Sequence, residues 1–117
     1  MLLSFDNFTS ILKAQLTPEE REGCVAYAVD QLLAQGKRLE FPDLVLEMPW
    51  DGFLAFIDQD PMANWGHPAR YLMINGEGGE FQSIKARFPP FQGSRELHWR
   101  PVYKAPALPN AAVAISE

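Results

Sequence analysis

Two short apolar runs, Phe53-Leu54-Ala55-Phe56-Ile57 and Tyr71-Leu72-Met73-Ile74, stand on either side of a polar loop. Apolar residues fill both parities of each run, as they do in strands covered on both faces. A chain with two such strands must supply two layers of cover, or leave an aromatic patch facing water. The intervening loop concentrates Asp58, Asp60, Asn64, Trp65, His67 and Arg70. It reads as the surface that the two strands hold out.

The 117 residues form one domain by length, and a domain of this size buries about two thirds of the surface its unfolded chain exposes. Apolar residues make up 47% and charged residues 21%, which is globular rather than disordered composition. No apolar run approaches the roughly 20 residues that cross a bilayer, and MLLSFDNF lacks a cationic segment followed by a long apolar one. Cys24 is the single cysteine, so no intrachain disulfide framework exists. The expected location is the cytoplasm, with no membrane partner. The net charge of −5 hides an asymmetry: residues 1–80 carry 5 basic against 13 acidic side chains, and residues 81–117 carry 5 against 2. An acidic whole disfavours non-specific binding to nucleic acid, since like charges repel and no counterions are released.

Ser4 is placed to cap a first helix on which Phe5, Phe8, Ile11 and Leu12 fall at helical spacing, with Lys13 in its last turn. Thr17 and Glu20 form a capping box with Pro18 at the first helical position. Val25, Ala28, Val29 and Leu32 continue at i, i+3, i+4 and i+7 up to Gly36, so the spacing predicts a helix over 18–35. From there the period changes to 2. Leu44, Leu46 and Met48 alternate with Val45 and Glu47 between Pro42 and Pro49, which predicts a half-buried strand. Asp51-Gly52 reads as a tight turn joining that strand to 53–57 in an antiparallel hairpin. Gly76-Glu77-Gly78-Gly79 reads as a second hairpin turn, and 81–88 alternates as an edge or one-sided strand. Pro89-Pro90 ends the sheet pattern. One more extended piece is expected within 91–104, around Leu97, Trp99 and Val102.

The expected fold is therefore α+β: two N-terminal helices packed on an antiparallel meander of about four short strands. A compact domain would cover 1–104, and the Pro-containing stretch 105–117 would be an extended or mobile tail. Two helices cover one sheet face. The other needs the tail, a second copy or a different protein.

Asp58, Asp60 and His67 lie close enough in sequence to serve as an acid–base pair or, with oxygen and imidazole ligands, as a divalent-metal site. Their spacing matches no standard site, and Asp before Pro61 also caps its own turn. Cys24, on the apolar face with no histidine near it, reads as a buried inert thiol. No phosphate-cradling motif is present, and no cofactor is implied. Between Lys85 and Lys104 basic residues interleave with Phe88, Phe91, Trp99 and Tyr103. That pattern suits single-stranded nucleic acid, but equally an interface rich in Trp, Tyr and Arg.

The reading favoured by the sequence is a small protein-binding module: an adaptor, inhibitor, immunity-type protein or dedicated chaperone. It would use loop 58–70 and segment 95–104. Trp65 would anchor the loop, His67 and Arg70 would give polar specificity, and Trp99, Arg100 and Tyr103 would be the contact centre. The alternatives are a small metal-assisted or acid–base hydrolase using Asp58 or Asp60 with His67, and a homo-oligomeric structural subunit. An enzyme is the less favoured class. Another protein, or a second copy, is the expected partner.

Overall fold

The computed structural model describes residues 2–63, 66–91 and 97–114. Helix α1 (Phe5–Gln15) starts where the sequence places it, with the Ser4 hydroxyl accepting the Asn7 N–H at 3.1 Å. Helix α2 (Pro18–Gly23) carries the complete capping box: Thr17 Oγ1 accepts the Glu20 N–H, and Glu20 Oε1 accepts the Thr17 N–H.

Beyond Gly23 the structure departs from the expected helix. Residues Val25–Val29 are strand β1, and all five are buried. The apolar spacing of this stretch is shared by a helix face and by a strand buried on both sides, and tertiary packing selects the strand. Gly36 does have positive φ, at 83°, but it sits in a turn leading to a short hairpin. That hairpin is β2 (Arg38–Glu40) and β3 (Val45–Glu47), with Leu39 opposite Leu46. The alternation expected over 44–48 is present, since Leu46 and Met48 are buried while Val45 and Glu47 are exposed.

The main sheet adds β4 (Gly52–Asp58), β5 (Ala69–Asn75), β6 (Phe81–Ala86) and β7 (Trp99–Lys104) to β1. Its order is β6-β5-β4-β1-β7, antiparallel throughout. The meander of about four strands is thus corrected to a five-stranded sheet plus a separate two-stranded hairpin. Only β4, β5 and β6 form a meander. The turn expected at Asp51-Gly52 is also corrected: β3 pairs with β2, and Gly52 opens β4 while bridging to Leu33. A Cβ at Gly52 would lie 2.4 Å from the Ile74 carbonyl oxygen, so backbone proximity is what this glycine supplies.

Side chains alternate cleanly between two cores. On one face Phe8, Leu12 and Leu16 lie over Ala26, Ala28, Ala55, Ile57, Leu72 and Ile74, and Phe8 stacks on Phe53 at 4.6 Å. Alanines on β1 and β4 let the helix approach closely. On the other face Val25, Tyr27, Leu54, Phe56, Tyr71 and Met73 are covered by Leu39, Phe41, Leu46 and Met48 of the hairpin. Leu108, Ala112 and Val113 extend that cover, and the Ala114 N–H donates to the Tyr27 hydroxyl at 2.8 Å. The second layer demanded by the apolar strands therefore comes from this same chain. β7 bulges where Pro101 faces Tyr27 and Tyr103 faces Ala26, leaving Val102 without an opposite residue. The radius of gyration, 13.3 Å, is that of a compact chain of this length. No helix among the described residues is long and apolar enough to cross a membrane.

Candidate functional site

Strands β4 and β5 are paired along their full length, with Asp58 opposite Ala69, so the polar loop joins two neighbours directly. Alternation then decides which face each polar side chain takes. Asp58 follows the parity of Phe56 and enters the face covered by the hairpin, whereas Arg70 follows Leu72 and enters the face covered by α1.

On the first face His67 Nε2 lies 2.8 Å from Asp58 Oδ1, which also accepts the Asp60 N–H at 3.1 Å. Both side chains are more than nine-tenths buried. Burial pushes the Asp58 carboxyl above its usual value, and the Asp60 N–H and His67 offset this only in part. Whether the imidazole donates to the carboxylate or the carboxylic acid donates to the imidazole, a single proton serves the contact. The His67 N–H also donates to the Arg87 carbonyl at 2.9 Å, tying the start of β5 to the end of β6. Asp60 itself is exposed. His98, the other histidine, lies on Asp30 at 2.6 Å near the surface. Among the described residues no group of three or more His, Cys, Asp or Glu side chains gathers at one point.

On the second face Arg70 makes a two-pronged contact with Glu20, Nε to Oε2 and Nη2 to Oε1, each 2.8 Å. Its remaining donors reach the Gln15 carbonyl and Ser83 Oγ. Gln59 completes the set by donating to Glu20 Oε2. Burial opposes ionisation of Glu20, but the donors from Arg70, Thr17 and Gln59 outweigh it and hold the carboxyl below its usual value. Gln59, Arg70, Ser83 and Lys85 line a shallow cleft of about 390 Å³ beside this network.

The other sequence-selected residues are distributed as follows. Trp65, together with Asn64, lies outside the described residues. Trp99 is 6% exposed and packs among Phe41 and Phe91. Arg100 holds its guanidinium 5.0 Å from the centre of the Phe5 ring. Tyr103 donates its hydroxyl to the Arg21 carbonyl and lines a surface cleft with Glu22, Pro106 and Ala107. Segment 95–104 is described only from Leu97, and loop 58–70 places His67 and Arg70 on opposite faces of the sheet. Cys24 is buried, and burial with the nearby Glu20 carboxylate pushes its thiol up to about 12.

Among the described residues strand β6 is paired on one side only. The Asn75 N–H to Glu80 carbonyl bond at 2.9 Å fixes its parity: even-numbered residues bond to β5, and the N–H and C=O groups of Phe81, Ser83 and Lys85 point outward. The next outward donor, the Arg87 N–H, is taken by Asp43 Oδ2 at 2.7 Å, which closes that end of the edge. Phe81 and Phe88 flank the open stretch, both more than two-fifths exposed, and Phe88 lies against Gly66 of the polar loop. The alternation over 81–88 marks this strand as an edge; the Asp43 stop has no local sequence signal, because it comes from a loop more than forty residues upstream.

Comparison with protein-family models, curated proteins and solved structures returns no match to this chain.

Proposed function

We propose that this chain is a protein-binding module whose contact surface is the open edge of β6 together with the flank of the 58–70 loop. The observation that carries this reading is the row of outward backbone groups at Phe81, Ser83 and Lys85, bounded by exposed Phe81 and Phe88 and stopped by Asp43. Native sheets usually blunt such an edge with a proline, a bulge or a covering segment, because it templates pairing with another strand. Here Lys85 is the only charge on β6. An extended segment of a partner would add as a sixth strand, taking its affinity from main-chain hydrogen bonds and its selectivity from the two phenylalanines. An acidic residue in that segment would suit Lys85.

The test replaces Lys85 with proline, which deletes one outward N–H and none of the bonds to β5, with Lys85→Ala as control. Affinity purification of the tagged chain from its native cells should recover a stoichiometric protein that Lys85→Pro loses and Lys85→Ala retains. Recovery of the chain alone, or equal retention by both variants, overturns the edge reading.

A further inference from the structure

A second cleft, of about 510 Å³, lies on the hairpin face and is lined by Pro42, Phe88, Pro89, Phe91 and Ala114. Its volume is that of a small-molecule site, and every described lining residue is apolar. Beneath it is an aromatic cluster: Phe91 meets Tyr27 at 4.7 Å, Phe56 at 5.9 Å and Trp99 at 5.9 Å, and Phe41 stacks on Tyr71 at 4.6 Å. Within this cluster two polar atoms, Trp99 Nε1 and Tyr71 Oη, are buried with no hydrogen-bond partner.

Leaving a buried donor unpaired costs about 1–3 kcal/mol, so two in one cluster call for a physical reason. Among the described residues no other buried side-chain polar atom lacks a partner, and the Tyr27 hydroxyl accepts the Ala114 N–H. Both orphan donors lie in the aromatic cluster behind the cleft lining, not in the lining itself. Phe91 touches both the cleft and the indole of Trp99, and Phe41, which stacks on Tyr71, directly precedes Pro42. Phe91 is half-buried.

We propose that this cleft binds a small neutral aromatic molecule bearing a carbonyl oxygen, its ring lying among Phe88, Phe91 and the prolines and its oxygen accepting from Trp99 Nε1–H, Tyr71 Oη–H or both. Turning of the Phe91 ring opens the way from the cleft to the donors. A carboxylate is disfavoured, because the described lining carries no charged side chain to offset burial of its charge and Asp43 lies near Tyr71. An aromatic hydrocarbon fills the cleft but leaves the donors unpaired.

The probes are 2-acetylnaphthalene and 2-ethylnaphthalene, which differ chiefly in the carbonyl, titrated into ¹⁵N-labelled full chain. The ketone should bind about tenfold more tightly, the gain of roughly one well-made hydrogen bond, and should move the Trp99 indole N–H signal downfield. Trp99→Phe identifies that signal, and in Trp99→Phe or Tyr71→Phe the preference for the ketone should shrink toward one. Ala114→Trp, which fills the cleft from the surface, should abolish binding of both probes. Equal affinity for the two probes, or full binding by Ala114→Trp, overturns the proposal. None of these readouts depends on the β6 edge, so the two proposals fail separately.

Discussion

Glu20 and Arg70 stand fifty positions apart and meet through two parallel hydrogen bonds of 2.8 Å, the planar fork of one matched to the carboxylate of the other. The same carboxylate accepts the Thr17 N–H in the capping box, which holds its rotamer where Arg70 meets it. The contact joins α2 to β5, and the other Arg70 donors extend it to α1 and β6. A local device of helix initiation is thereby turned into a clamp across the helical face of the sheet.

Glu20→Gln should lower stability by about 1–3 kcal/mol near neutral pH, because Arg70 loses its counter-charge in a mostly buried site. The sign of the pH dependence follows from the lowered folded-state value. Glu20 contributes fully above its ordinary value near 4.5, and that contribution is lost as pH falls through the lower folded value. The gap between wild type and variant in urea midpoints should therefore close below about pH 4. Asp58, whose value is raised, acts in the opposite sense: it favours the fold at low pH and gives that up as pH rises. A gap that stays constant from pH 7 to pH 3 would show that Glu20 acts through shape alone.

Tyr71→Phe removes a hydroxyl that is fully buried without a partner and leaves the ring that stacks on Phe41. In the ligand-free chain the thermal midpoint should rise, reflecting relief of about 1 kcal/mol. A fall would show that the hydroxyl has a partner, and calorimetry of the two chains decides it.

Gly52→Ala should cost about 2–4 kcal/mol, since its Cβ would meet the Ile74 carbonyl within the paired β4 and β5 backbones. Gly66→Ala should cost less. Its Cβ would meet the Phe88 ring at 2.8 Å, and that exposed side chain can swing away. Equal losses in denaturant unfolding would mean that the sheet yields at Gly52.

Both apolar runs, the glycine turn after Asn75 and the one-sided character of β6 could be read from residue order, because each rests on contacts between neighbours in the chain. The same holds for the caps at Ser4 and Thr17. The stretch after Gly23 could not be read this way. Val25, Ala28 and Val29 satisfy a helical period, but Cys24 to Val29 is also an unbroken apolar run, and only a strand on either side makes the extended form the better one. Gly23 is the local sign that the helix ends there, since glycine is the poorest interior helix former after proline. The pairing of Asp58 with His67 lay within a short loop and was accessible. Arg70 on Glu20 and Asp43 on the Arg87 N–H join distant segments and have no local signature.

The position of β1 carries a consequence for how the chain reaches this state. Val25 is paired both with Asp58 and with Lys104, so half of the sheet depends on contacts that close very long loops, while β4, β5 and β6 need only successive hairpins. Chain entropy puts the hairpins first and the insertion of β1 between β4 and β7 last. During synthesis on the ribosome the doubly apolar β1 therefore emerges early, without a neighbour until β4 has been made and without its second until β7 has been made.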